Sequence, residues 1–216
     1  ATERRTPITP NDSKALLEAG FRILVERSAK RIFKDAEYES AGCELVDAGS
    51  WLTSMDATIL GLKELPAEPA ELRVPFIHFA HIYKDQTGWE QEISRFRRGC
   101  GRLYDIEYLT KRERRVAAFG YWAGWMGSVL AAWRLLARWN GVDGPEGGVS
   151  SFESREEVED ILRELSANCI KPRRAVVIGA KGRSGTGATE ALKLAGFEVT
   201  EWDIDETRDL DKAALM

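Results

Sequence analysis

Residues Ala175–Ala188 read AVVIGAKGRSGTGA, and Glu201-Trp202-Asp203 closes the next apolar run. Val176, Val177 and Ile178 lead into a glycine turn, and Gly179, Gly182, Gly185 and Gly187 open a segment of helical character. Spaced glycines carry chemistry in this strand–turn–helix–strand context. They let the backbone approach a pyrophosphate, the helix N-terminus supplies N–H donors, and an acid about twenty residues on accepts from a ribose hydroxyl. The spacing G-x-x-G-x-x-G-x-G is a variant of the dinucleotide fingerprint, and its alternative is a plain structural β–α turn. Asp203 at the ribose would repel a 2′-phosphate, which favours NAD over NADP. Arg183, inside the loop, is either a pyrophosphate partner or a surface cation.

The chain has 216 residues, room for one large or two modest domains. Lys and Arg number 31 against 35 Asp and Glu, a net charge of -4. The basic residues form no block, which speaks against a nucleic-acid partner. Cys43, Cys100 and Cys169 are odd in number and far apart, so a disulfide scaffold is not expected. With no secretory leader, they point to a reducing, cytoplasmic setting. No C-x-x-C pair occurs and there are only 2 histidines, so no metal site is expected. Ala117–Trp133 carries no charge but is short for a bilayer, and Arg134 and Arg138 continue its pattern. It reads as a buried helix joining two domains rather than a membrane span, with Gly120, Gly124 and Gly127 permitting close helix packing. The oligomeric state is left open, a monomer included.

The expected fold class is α/β, two Rossmann-like domains with mainly parallel sheets, the second incomplete. The boundary is placed at Phe119, giving a substrate-side domain over 1–119 and an NAD-binding domain over 120–216. The chain begins without a methionine inside a loop-like ATERRTPITP and stops at DETRDLDKAALM, soon after the second strand of the nucleotide unit. A dinucleotide fold uses about six strands, so a piece of a longer enzyme is expected, lacking its first strand and the later half of the NAD domain. Within 1–119, Asn11-Asp12-Ser13 are possible caps of a short helix ended by Gly20. Strands are expected at Phe21–Val25, Glu44–Val46, Thr58–Leu62, Val74–Ala80, Arg102–Tyr108 and Val116–Phe119, and helices at Ala36–Ala41 and Gly88–Arg97. Val74–Ala80 has so little polarity that burial on both faces is expected. Beyond the loop Asn140–Ser151, Glu153–Leu165 reads as an amphipathic helix.

Several polar residues follow apolar runs, where ligands bind in parallel sheets. Lys63 follows Ile59–Leu62, and His81 follows Phe76–Ala80 with Lys84 close behind. Both Lys63 and His81 are candidate proton carriers, because a lysine pKa falls on burial or beside other cations and a histidine starts near neutrality. Their bland alternatives are a solvated loop lysine and a hydrogen-bonded histidine. His78 inside its strand reads as structural, Arg4 and Arg5 as a loose terminus, and Glu107 as an outward strand residue.

The strings ERRTPITP, LVERS, GLKELP, FAHIYKDQTGW, LYDIEYL, RRVAAFGYWAG and VIGAKGRSGTGA resemble, in order and spacing, the NAD-dependent, lysine-forming saccharopine dehydrogenase family. The likeness runs over nearly all of the chain and is weakest over 139–173. ERRTPITP, LKELP and AH are shared more loosely with alanine dehydrogenase and the transhydrogenase NAD-binding subunit. The resemblance implies two Rossmann-like domains around a cleft and oxidative cleavage of saccharopine to lysine and 2-oxoglutarate, with NAD as cofactor and water consumed. It is the last step of the aminoadipate route to lysine.

The resemblance also implies residue roles. Lys63 and His81 match the acid–base pair, with hydration and collapse given to Lys63 and the amine to His81. Arg5 matches a carboxylate-binding arginine, Lys84 and Arg115 join it as substrate-binding cations, and Glu107 binds the substrate amine or tunes those cations. On the cofactor side Gly179, Gly182 and Gly185 form the loop, with Arg183 near the pyrophosphate. Asp203 is at the ribose, and Thr207 is on the adenosine side. Ser184 stands where fungal members carry cysteine, and Trp122 and Trp125 replace smaller or different aromatic residues. An alanine dehydrogenase-like enzyme is the second reading, opposed by the cation set of Lys84, Glu107 and Arg115. A non-catalytic NAD-binding module is the third.

Overall fold

The computed structural model describes residues 3–62, 65–80, 82, 87–145 and 148–208. The chain divides into two compact units, Ala1–Ala117 and Ala118–Met216.

In the first unit, helix α1 (Pro10–Glu18) starts one residue ahead of the expected caps. Thr9 is the N-cap, its hydroxyl accepting from Asp12 N–H at 3.1 Å while the Asp12 carboxylate accepts from Thr9 N–H at 2.9 Å. Pro10 needs no N–H donor at the first helical position, which fixes this start. The segment before it is not loose. The buried Tyr38 hydroxyl donates to Ile8 O at 2.7 Å, and Ile32 N–H donates to Arg4 O at 2.8 Å.

Strands β1 (Leu24–Glu26) and β2 (Glu44–Val46) pair in parallel, bridged by helix α2 (Asp35–Ser40). A second parallel sheet orders β3 (Ile59–Leu62), β4 (Pro75–Phe79) and β5 (Arg102–Asp105), with helix α3 (Trp89–Gly99) crossing from β4 to β5. Gly61, His78 and Asp105 lie side by side in its register. Leu72, Val74, Phe76 and Phe96 form the core beside it, with Trp51 and Phe96 edge-on to Phe76 at 5.8 and 5.3 Å.

Three sequence expectations are corrected here. The strand from Arg102 stops at Asp105, because its side chain accepts from Glu107 N–H at 3.0 Å and turns Ile106–Tyr108 into a 3₁₀ turn. Residues 116–119 form no strand. Instead β6 (Thr110–Lys111) and β7 (Arg114–Arg115) make an antiparallel hairpin whose turn residues, Arg112 and Glu113, both have positive φ. Strand β4 is not closed on both faces: Phe76 and His78 are buried while Ile77 is 36% exposed.

In the second unit, helix α4 (Gly120–Asn140) runs a further two turns beyond the uncharged stretch. Trp125, Val129, Ala132 and Leu136 form its buried stripe, and Arg134 and Arg138 lie on its exposed side, so the charges do not end it. No helix among the described residues is long and apolar enough to cross a membrane. Helix α5 (Arg155–Ala167) is capped by Ser154. Strands β8 (Arg174–Ile178) and β9 (Glu198–Trp202) pair in parallel through helix α6 (Arg183–Leu194), and the four-residue helix α7 (Ile204–Thr207) follows. The α4 stripe joins Leu162, Ala191, Ala195 and Phe197 in one core. Replacing the fully buried Leu136 by alanine should lower the unfolding free energy by about 2–5 kcal/mol. The exposed Val142→Ala should change it by less than about 0.5 kcal/mol. Urea denaturation of the intact protein measures both.

Candidate functional site

In the first unit the site is framed by the carboxyl ends of β3, β4 and β5, which parallel pairing brings to one edge. In sequence, Lys63 directly follows β3, and His81 and Lys84 follow β4. All three lie outside the described residues. Asp105 ends β5 and organises the edge: its Oδ1 accepts from Ala80 N–H at 3.3 Å and from Glu107 N–H at 3.0 Å. Its Oδ2 is buried, with no hydrogen-bond partner among the described residues.

Glu107 is not the outward strand residue its alternation implies. The 3₁₀ turn carries it inward, 2% exposed. Arg115, on the β7 hairpin strand, donates from Nε to Glu107 O at 3.1 Å and sets Nη2 3.8 Å from Glu107 Oε1. The structure thus brings Glu107 and Arg115 together. Arg5 is elsewhere engaged. Its Nε and Nη2 donate to the two Glu3 carboxylate oxygens at 2.8 and 2.7 Å, a bidentate fork that holds the guanidinium pKa above its ordinary value. No hydrogen bond among the described residues ties Arg5 to Glu107 or Arg115. Sequence reasoning missed Asp105. An aspartate at the end of an apolar run, two residues before a glutamate, is the turn signal that would have found it.

In the second unit the glycine turn is built around β8. Gly179 has φ +76, a conformation that L side chains rarely adopt, and its N–H and that of Ala180 donate to Trp202 O at 2.8 and 3.0 Å. Gly182 is the N-cap of α6 and makes no side-chain cap hydrogen bond. The first-turn N–H groups of a helix have no intrahelical acceptor, so this end offers donors where a phosphate would sit. At Gly185 a Cβ would stand 2.0 Å from Gly179 O, so only glycine lets the turn fold back against the helix. These residues fit a dinucleotide.

Asp203 closes the far side. Its Oδ2 accepts from Lys181 N–H at 2.8 Å and its Oδ1 from Ile204 N–H at 2.9 Å. These two N–H groups, Lys181's first, hold its carboxyl below the usual carboxylate range. Asp203 is therefore an ionised acceptor braced against the glycine turn. Thr207 is tied to it, its hydroxyl donating to Asp203 O at 2.6 Å. The turn, Asp203 and Thr207 form one constellation, with Arg183 and Ser184 as the first two residues of α6.

The family model described as alanine dehydrogenase/PNT, N-terminal domain, matches residues 1–126. A saccharopine dehydrogenase [NAD(+), L-lysine-forming] from Emericella nidulans is 41% identical over 95% of this chain and 58% of the relative. The enzyme of the same name from Yarrowia lipolytica is 40% identical with the same coverage. The mitochondrial alpha-aminoadipic semialdehyde synthase of Rattus norvegicus is 31% identical over 60% of this chain and 14% of its own length. The chain thus spans 58% of the length of those two fungal relatives. Among solved structures, a transhydrogenase from Sinorhizobium meliloti superposes with a TM-score of 0.53 at 20% identity, over 93% of this chain and 55% of that one. This likeness shows the α/β fold. With a family model matched over more than half its residues, the chain belongs to the alanine dehydrogenase/PNT family.

Proposed function

We propose that the protein to which this chain belongs cleaves saccharopine oxidatively to L-lysine and 2-oxoglutarate, using NAD and water. The observation that carries this reading is the identity of 40% over 95% of the chain to fungal enzymes bearing that name. The unit Ala1–Ala117 is the substrate side and Ala118–Met216 the cofactor side.

The chemistry assigns the residues their work. NAD, when bound, supplies the acceptor for the hydride that leaves the carbon beside the secondary amine. His81 takes the proton from that amine, since only the neutral amine can release hydride. Lys63 moves protons as water adds to the substrate imine and as the carbinolamine collapses to release lysine. Arg5, Lys84 and Arg115 bind substrate carboxylates, of which saccharopine has three. Arg5 does so by exchanging the Glu3 carboxylate for that of the substrate, because an exposed pair is held by only about 0–1 kcal/mol. Glu107 binds the substrate amine or tunes the neighbouring cations. Gly179, Gly182, Arg183, Ser184 and Gly185 hold the pyrophosphate, Asp203 the ribose and Thr207 the adenosine side. Cytoplasmic residence, a small-molecule substrate and no nucleic-acid partner complete the proposal.

The test is NADH absorbance with saccharopine and NAD on the full-length protein. Lys63→Met and His81→Gln should each lower kcat by about 100-fold or more. Turnover of alanine in place of saccharopine would move the protein to the sister activity, and NAD binding without turnover of either would make it a binding module.

Asp203 gives a separate expectation. Asp203→Asn should weaken NAD binding about tenfold or more, through loss of a charge-assisted hydrogen bond. Because the folded-state carboxyl is depressed, its stabilisation is fully present above the unfolded value near pH ~3.9 and is lost as pH falls through the folded value. The Tm advantage of the wild type over Asp203→Asn should therefore shrink as the pH is lowered from about 7 toward about 3.

A further inference from the structure

Helix α4 meets the start of α6 through backbone rather than through side chains. A Cβ added at Gly124 would stand 1.9 Å from Ser184 O and 2.7 Å from Ser184 Cα. A Cβ at Gly120 would stand 3.0 Å from Ser184 Oγ and 3.2 Å from Arg183 Cβ. Gly127, on the same helix, has nothing within 4 Å. Among the α4 glycines the close approach is therefore made by Gly120 and Gly124, and across the same contact a Cβ at Gly187 of α6 would stand 2.1 Å from Tyr121 O. Helix separation is set by the side chains at the contact, and at Gly124 neither helix supplies one.

Ser184 is the second residue of α6, so its position fixes the first-turn N–H groups that a phosphate would take. The two helices are also tied to each other, since Glu190 lies on α6. Trp125 is 3% exposed in the core, and the Tyr121 hydroxyl donates to Glu190 Oε2 at 2.5 Å. The Arg155 guanidinium bonds the other Glu190 oxygen at 2.6 Å and lies 5.3 Å from the Trp125 ring. A methyl group inserted at position 124 therefore forces the Ser184 backbone and α4 apart at the first turn of α6, which follows directly on the glycine turn closed by Gly182 N–H to Gly179 O at 3.0 Å.

We propose that Gly124, seconded by Gly120, is a positioning residue for the cofactor: it sets where α6 presents its first-turn N–H groups to the dinucleotide pyrophosphate. The proposal rests on the NAD-binding reading above. Gly124 acts through Ser184 and is assigned no contact with the cofactor.

The test uses full-length protein carrying Gly124→Ala, Gly120→Ala or Gly127→Ala, with NADH binding followed by fluorescence and steady-state kinetics with NAD and saccharopine. Gly124→Ala should raise the NADH Kd and the NAD KM about tenfold or more, while kcat and the saccharopine KM stay within about threefold, as displacement of a binding group predicts. Gly120→Ala should raise the NADH Kd in the same direction by about twofold to fivefold, because the Ser184 hydroxyl can rotate away. Gly127→Ala should bind as the wild type does. If Gly124→Ala fails to fold, the Gly120→Ala shift against Gly127→Ala decides the matter. Unchanged NADH affinity in the folded variants, or losses spread equally over kcat and both KM values, overturns the proposal. A wild type that binds no NADH instead defeats the cofactor reading itself, and this proposal falls with it.

Discussion

Parallel strand pairing is the constraint on which both units depend. A parallel pair needs a crossover, and it sends the carboxyl ends of its strands to one edge. In the first unit that edge collects Leu62, Phe79 and Asp105 from three adjacent strands. In the second it collects Ile178 and Trp202, so the turn after β8 and the acid after β9 meet. The Lys181 N–H to Asp203 hydrogen bond is the direct consequence, linking residues far apart in sequence at 2.8 Å. Residues that follow apolar runs acquire a common location only because of this pairing.

Among the described residues Arg5, Arg115 and Asp203 already have partners, and the kind of partner decides what each can do. Arg5, with its side chain 59% exposed, faces a half-buried Glu3 at 32%, a pair near the surface and therefore weakly held. Arg115 approaches a glutamate that is 2% exposed, and a buried carboxylate stripped of its cation is costly, so this pair is a fixed part of the edge. Asp203 is different again. Its partners are backbone N–H groups rather than cations, which keeps it ionised while leaving it a net negative charge.

Much of the framework was legible along the chain. The glycine turn, β8, β9 and Asp203 are local features, in which apolar runs, glycines and an acid appear in the order they are used. The stripe of α4 was also legible, through its charged end as well, because Arg134 and Arg138 sit on the outer face while Leu136 keeps the buried stripe going. Less legible were features set by side chain-to-backbone bonds. Nothing in the apolar pattern of LYDIEYL distinguishes a strand through Tyr108 from one cut at Asp105. The Asp105 Oδ1 acceptor makes that difference, and with it the burial of Glu107. The β6–β7 hairpin was hidden for another reason: Arg112 and Glu113 take left-handed conformations that glycine or asparagine would normally announce.

The amino-acid sequence by itself determined the class of fold and the residue types that follow each apolar run, because hydrophobic period, glycine spacing and strand-end acids are written along one dimension, and the resemblance of its motif strings pointed to the family. Only the tertiary structure decided which of those residues share a place. It paired Glu107 with Arg115, turned Asp203 onto the Lys181 backbone, and pressed Gly124 against Ser184. Each of these depends on the approach of segments distant in sequence. Close packing makes such approaches specific to tenths of an ångström, and no local propensity encodes them.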